Sequence, residues 1–203
     1  HSERLLLQRL SLFTAGFTFS TAESACAWGE IQREDVLDLL SSLVSKSLVV
    51  AETLQGSEAR YRLLETIRQY AQEKLRASGD WVSAHEHYLA CFLRLTEEVA
   101  PKLREQYQQL WFDWLETEND NIRAALAWAL EQQRIEAGMR IGTALYSFWQ
   151  TRAYIQEGYA WYERFLHQTD NSVPLAVHVN TLTWSSVMAS FLGDAVTATA
   201  RGQ

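Results

Sequence analysis

His85 and His87, with Glu86 between them, are the densest group of potential metal ligands in the chain. On a helix, residues two apart point to different faces, and no cysteine or third histidine stands at a ligand spacing. A solvated helical face therefore explains them better than a metal centre. The acids Glu97 and Glu98, and Glu116 with Glu118, are read as solvated helix ends and not as an acid/base pair. The nine glycines are scattered singly, and no Gly-x-x-x-x-Gly-Lys-Ser/Thr loop offers amides and a lysine to a phosphate. No Gly-x-Ser-x-Gly elbow presents a nucleophile. Cys26 and Cys91 lie far apart in helical patterns, which fits reduced thiols in a cytoplasmic protein better than a disulfide. No catalytic residue, metal or cofactor is assigned, and the chain is read as non-enzymatic.

The aromatic residues offer recognition instead of catalysis. Tyr146, Phe148, Trp149, Tyr154, Tyr159, Trp161, Tyr162 and Phe165 crowd a helical pair. Most are expected to fill the seam between helices. Tyr146, Trp149, Tyr154 and Trp161 are the candidate surface for an effector or a partner protein.

With 203 residues and 47% hydrophobic content, the chain can bury a sizeable core, expected as two packed units. A net charge of −7 argues against a polyphosphate-binding surface and against acidic membranes. No run of about 18 apolar residues suggests a membrane span, and no leader is expected. His1-Ser2 has the look of a tag scar, and Ala200–Gln203 that of an excised end.

The elements that hold these residues change character along the chain. Leu5, Leu6, Leu7, Leu10 and Phe13 predict a short first helix, half buried, with Glu3, Arg4, Gln8 and Arg9 on its outer face; Gly16 allows a reversal. Thr21 is the expected N-cap of a helix over 22–28 that lacks a capping box. The broad apolar face of Arg33–Ser47 predicts deep burial. Two strands follow, at 48–52 and 60–63, joined by a turn at Gln55, Gly56 and Ser57. A helix from Glu65 stops at Gly79, with Ile67, Tyr70, Ala71, Lys74 and Leu75 in register. Three helices, a hairpin and a helix are the order of a winged helix. Its third helix offers Asp35, Asp38, Ser41, Ser42 and Ser45, with only Arg33 and Lys46 as cations, so no direct contact with nucleic acid is expected. Helix follows helix thereafter. Pro101 marks a break or a first turn.

Arg9–Phe17, Tyr61–Leu75 and above all Gln109–Leu130 resemble the winged-helix region of bacterial signal-transduction ATPases with numerous domains, the transcription regulators of the LuxR and AfsR kind. In that likeness Asn119 and Asp120 cap a new helix. Arg152–Leu166 is similar to half of a tetratricopeptide repeat. Leu182–Phe191 with Gly193, Asp194 and Ala198 is similar to a second copy, offset by 40 residues from Gly158 to Ala198 against roughly 34 in a standard repeat. The resemblance implies a winged helix that docks on a nucleotide-binding domain earlier in the same chain, and repeats that sense an effector. It places Leu63, Leu64 and Glu65 near the nucleotide, with Leu64 where relatives carry a histidine. Leucine cannot donate to a phosphate.

The expected fold is therefore all-α with one small β-hairpin: a winged helix over 1–79, a helical connector over 80–134 and tetratricopeptide-like repeats over 135–203. The expected function is regulatory and non-catalytic. A free-standing interaction scaffold and a DNA-binding winged helix are the alternatives.

Overall fold

A computed structural model describes residues 1–52, 58–169 and 172–193. Two compact units divide at residues 91 and 92, inside one helix.

In the first unit, α1 (Ser2–Leu10) leads to β1 (Phe17–Thr18) and α2 (Phe19–Cys26). A single 3-10 turn, Arg33–Asp35, opens α3 (Val36–Ser45); β2 (Val49–Glu52), β3 (Arg60–Leu63), α4 (Glu65–Ser78) and the start of α5 (Trp81–Val99) follow. The sheet is antiparallel in the order β1-β3-β2, with Phe17 opposite Tyr61 and Val49 opposite Leu63. The first strand is a structural addition to the expected hairpin. It forms because Gly16, at φ 74°, lets the backbone turn under Tyr61, whose carbonyl oxygen would lie 2.6 Å from any added Cβ. Phe13, Phe17 and Tyr88 meet ring to ring at 5.1 Å in the core between α1 and the sheet.

Several local expectations change. Helix α2 begins three residues early because Thr18 is its cap: Thr18 Oγ1 accepts from the Thr21 amide at 3.2 Å, and Thr21 Oγ1 accepts from the Thr18 amide at 2.9 Å. The two threonines make a reciprocal capping box. The face of α3 is wide but not deep: Val36, Leu40 and Leu43 are buried, while Leu37 is 53% exposed. In α4, Ala71 and Leu75 carry the packing and Tyr70 is 56% exposed. Gly79 ends that helix in the left-handed region at φ 85°, as its position predicts. The expected turn at Gln55, Gly56 and Ser57 lies outside the described residues.

In the second unit the rest of α5 and a 3-10 turn, Ala100–Arg104, lead into α6 (Gln108–Glu131), α7 (Ile135–Thr151), α8 (Ile155–His167) and α9 (Leu175–Phe191). Pro101 sits in the first turn of the 3-10 segment, where its missing amide costs nothing. Asn119 and Asp120 cap nothing: α6 is continuous through them. Asn121 Nδ2 donates to Glu118 at 2.6 Å and Arg123 to Asp120 at 2.8 Å, so these side chains are paired within the helix, and Ile122, Ala125 and Leu126 continue its buried stripe. Glu118, expected at a solvated helix end, is buried for the same reason. Of the second repeat-like copy, Asp194 and Ala198 lie outside the described residues.

Glycines set the spacing of α7 and α8. A Cβ on Gly138 would lie 2.2 Å from the Phe165 ring, one on Gly142 3.0 Å from Tyr162, and one on Gly158 2.5 Å from Trp149. Each ring stands in the gap a missing side chain leaves. Gly138→Ala gains up to about 1 kcal/mol of helix propensity but must displace a buried ring, an overpacking cost of about 1–3 kcal/mol. The clash wins. The variant should unfold at lower denaturant concentration than wild type with an unchanged slope; equal midpoints would show that Phe165 moves aside without cost.

Candidate functional site

The exposed side of α3 is fixed from behind by Val36, Leu40 and Leu43, which leaves Leu37, Asp38, Ser41 and Ser45 facing outward. Ser41 Oγ donates to the Leu37 carbonyl and Ser45 Oγ to the Ser42 carbonyl, both at 2.8 Å, so each hydroxyl keeps lone pairs for an outside donor. Around this face the cations are held by carboxylates. Arg33 pairs with Glu23 at 2.6 Å, which raises the Arg33 pKa. Lys46 Nζ donates to Glu3 Oε2 at 2.5 Å, Ser42 Oγ donates to Glu3 Oε1 at 2.7 Å, and together they hold the Glu3 carboxyl below its ordinary range. On the hairpin, Arg62 Nε donates to Glu52. Arg60 instead turns inward and donates to the carbonyls of Ala15, at 3.0 and 3.2 Å, and Gly16. Asp35 accepts from the Gln32 amide at 3.3 Å and so belongs to the turn before α3.

The segment Leu63–Glu65 turns from strand into helix. Leu63 is buried at the end of β3. Leu64 stands at the N-cap position of α4 without a capping side chain and is 43% exposed. Glu65 folds back along its own helix and accepts from Arg68 Nε, Arg68 Nη2 and Gln69 Nε2, each at 2.8 Å. Arg68 and then Gln69 hold its carboxyl at about 2.

The four aromatic candidates separate. Trp149, 1% exposed, packs edge-on against Tyr162 in the seam between α7 and α8; it is core and not surface. Trp161 is nearly buried beside Phe165, with Arg164 over its ring at 4.6 Å. Tyr146 stacks on Trp184 at 3.9 Å and keeps part of its ring exposed. Tyr154 donates through its hydroxyl to Glu116 at 2.5 Å, and Arg123 lies 5.6 Å over its ring. Arg123 in turn forks onto Glu157 at 2.6 and 2.5 Å.

His85 and His87 do not converge. His85 Nδ1 lies 2.9 Å from the Trp81 carbonyl, and His87 stacks on Trp28 at 4.7 Å, with burial and then Arg9 lowering its pKa. Cys26 and Cys91 are buried and not joined by a disulfide, and burial pushes the Cys26 thiol up. No helix of the described residues is long and apolar enough to cross a membrane.

This architecture defines a winged helix-turn-helix domain followed by a helical unit, and residues 1–76 match the family of winged helix-turn-helix domains. Over 194 residues, 94% of the chain, it is 34% identical to the Mycobacterium tuberculosis protein named "Putative HTH-type transcriptional regulator Rv0890c", and equally to its Mycobacterium bovis counterpart Mb0914c. The chain spans 22% of the length of these curated relatives. It is also 43% identical over 79 residues to the uncharacterized protein Rv0894 of Mycobacterium tuberculosis, covering 38% of this chain and 20% of that one. No solved structure matches.

The winged helix-turn-helix match, with the likeness to proteins named as HTH-type transcriptional regulators, overturns the expectation that the segment makes no direct contact with nucleic acid. The physical error lay in applying the charge of the whole chain to one domain and in counting Asp35, which belongs to the turn, against the outward face of the third helix. Residues 1–76 hold ten acidic and nine basic side chains, so they are almost neutral and carry half of all the cations. The acid excess belongs to the rest. That partition could have been read from the sequence; the turn role of Asp35 could not.

The Glu65 geometry makes a pH prediction. A carboxyl held near 2 against 4.5 in the unfolded chain contributes stability that is present above pH 4.5 and is lost as pH falls toward 2. NMR titration of the side-chain carboxyl should find a midpoint well below 4.5, rising in Arg68→Ala; an unshifted midpoint would refute the pairing.

Proposed function

We propose that the chain is the regulatory part of a transcriptional regulator, non-catalytic, with the winged-helix unit contacting DNA and the helical unit receiving an effector or partner protein. The observation that carries it is the α3 face: outward hydroxyls of Ser41 and Ser45, the exposed Leu37 and the single carboxylate of Asp38, flanked by Lys46 and Arg33, within a domain that matches winged helix-turn-helix proteins. Serine hydroxyls suit bases or phosphates, an apolar side chain suits a thymine methyl, and cations on the flanks suit backbone phosphates. The carboxylates on those cations are exchangeable, because exposed ion pairs contribute only about 0–1 kcal/mol. In the helical unit the exposed part of the Tyr146–Trp184 stack and the Tyr154–Arg123 pair supply the recognition surface.

Fluorescence anisotropy of the 203-residue chain with labelled duplex DNA tests this. Binding in the range of roughly 1–100 μM at about 50 mM salt is expected, weakening with salt, and Arg62→Ala should reduce the logarithmic salt slope by about one. No binding at low salt would end the DNA reading.

A second reading concerns the longer protein. The exposed Leu64 at the mouth of α4 favours a protein partner there, and by resemblance that partner is a nucleotide-binding domain of a signal-transduction ATPase in the same polypeptide. A histidine at that position would add a hydrogen bond to a charged phosphate, about 1.5–3 kcal/mol when aligned. Leu64→His in the longer protein should then release fluorescent ADP more slowly, by about tenfold per 1.4 kcal/mol. Equal release from two equally stable proteins would remove position 64 from the nucleotide site.

A further inference from the structure

Glu3 is the one acidic side chain of α1. Its two carboxylate oxygens are divided between two side chains at the carboxyl end of α3: Oε1 accepts from Ser42 Oγ at 2.7 Å and Oε2 from Lys46 Nζ at 2.5 Å. An ammonium and a hydroxyl placed side by side to hold two oxygens of one anion are the donor set that holds a phosphodiester. The site stands on the flank of the helix whose outward face carries Leu37, Ser41 and Ser45, and it is reached from solvent, since the Lys46 and Glu3 side chains are 52% and 37% exposed.

We propose that Ser42 and Lys46 form a seat for a DNA backbone phosphate and that Glu3 occupies it in the unbound chain as an internal stand-in for that phosphate. The inference rests on the DNA-binding reading and adds its regulation: DNA displaces Glu3 from the seat, so Glu3 lowers affinity and raises the threshold for binding. The geometry makes the exchange local. Lys46 lies just past the last residue of α3, and Ser42 needs only a rotamer change to offer the same donor to an outside oxygen. Glu3 gives nothing back to DNA, because a released carboxylate beside a phosphate repels it.

The test compares the whole 203-residue chain with Glu3→Gln, Lys46→Ala, the double variant and Glu73→Gln, an exposed acid on α4. Anisotropy with a labelled duplex is read at several salt concentrations, with melting curves to show that each protein is folded. Glutamine keeps an acceptor for Ser42 while releasing Lys46. Glu3→Gln should bind up to about fivefold more tightly at about 50 mM salt, because the wild type must first break the exposed Glu3–Lys46 pair to seat the phosphate, and its logarithmic salt slope should be steeper. The gain should disappear when Lys46→Ala is added, and Glu73→Gln should gain less than the Glu3 variant. If the wild type binds DNA and Glu3→Gln binds equally, the seat is overturned while the DNA reading stands. Equal gains in Glu3→Gln and Glu73→Gln would overturn it too, because net charge alone would then be acting. If no protein binds, the DNA reading itself fails and the seat falls with it.

Discussion

Arg9, a residue only 4% exposed, carries the guanidinium on which the first unit turns. Its Nη1 donates to the carbonyls of Cys26 and Trp28, both at 2.8 Å, and its plane lies 3.5 Å over the Trp28 ring. Burying a cation costs several kcal/mol, which these two bonds and the indole offset only in part because Arg9 Nε is buried without a hydrogen-bond partner, so the chain after α2 is not free to leave it. Cys26 is the last residue of α2 and Trp28 lies two residues beyond it; their carbonyls also accept from the Trp28 and Ile31 amides, so Arg9 ties an already hydrogen-bonded turn to α1. Because α1 carries Arg9 at one end and Glu3 at the other, this helix fixes both the exit of α2 and the carboxyl end of α3. The direction in which α3 shows Leu37, Ser41 and Ser45 is in this sense decided on α1. Burial lowers the Arg9 pKa, yet an arginine so far above neutrality remains charged, which makes it a dependable bracket where a lysine would be less so.

Composition and periodicity revealed the elements best where local chemistry and packing agree. The two hairpin strands and α4 with Gly79 were legible because the valines of β2, the Tyr–Leu alternation of β3, amphipathic spacing and a left-handed glycine all point one way. Arg9 was not, because spacing places it among polar residues and nothing local says that two carbonyls and an indole will receive it. Helix ends without glycine were equally hidden. Ser47, Gln133 and Ala153 all take positive φ, and the next residues close the turn through Leu48 N to Leu43 O, Arg134 N to Ala129 O and Tyr154 N to Trp149 O. A glycine at such a place announces itself. Serine, glutamine and alanine adopt it only because tertiary packing outweighs roughly 1–2 kcal/mol of strain.

For the site, residue types were legible and roles were not. Leu63, Leu64 and Glu65 have the expected local turn into a helix, but Glu65 is engaged with Arg68 and Gln69 on its own helix. Tyr146, Trp149, Tyr154 and Trp161 looked alike as a string of aromatics; of the four, Trp149 is the one that a glycine opposite admits to the core, while Trp161 is nearly buried beside Phe165. Gly158 admits Trp149 into the seam, and Gly142 admits Tyr162, whose hydroxyl then donates to the Gly142 carbonyl at 2.8 Å. No such gap faces Tyr154, whose hydroxyl meets Glu116 instead.

Charge distribution explains why one chain can carry a nucleic-acid contact and a strongly acidic balance together. Residues 77–203 hold fifteen acidic and nine basic side chains, so nearly all of the net −7 lies after the winged-helix match. At about 0.1 M salt a charge is screened beyond roughly 10 Å, so what a phosphate meets is the set of side chains within that distance and not the sum over the chain. Close to α3 that set holds two carboxylate–cation pairs, Glu3 with Lys46 and Glu23 with Arg33, together with the outward carboxylate of Asp38 and the acids Glu34 and Asp35 of the turn before the helix. With its cations paired and Asp38 facing outward, the face does not attract a distant polyanion, and it gains from one only as the pairs open. Steering from afar is therefore weak, while contact at short range depends on exchange of partners. A domain built like this discriminates by fit at the surface before it gains from charge, which is the order that selective binding requires and the reverse of the order in a uniformly basic face.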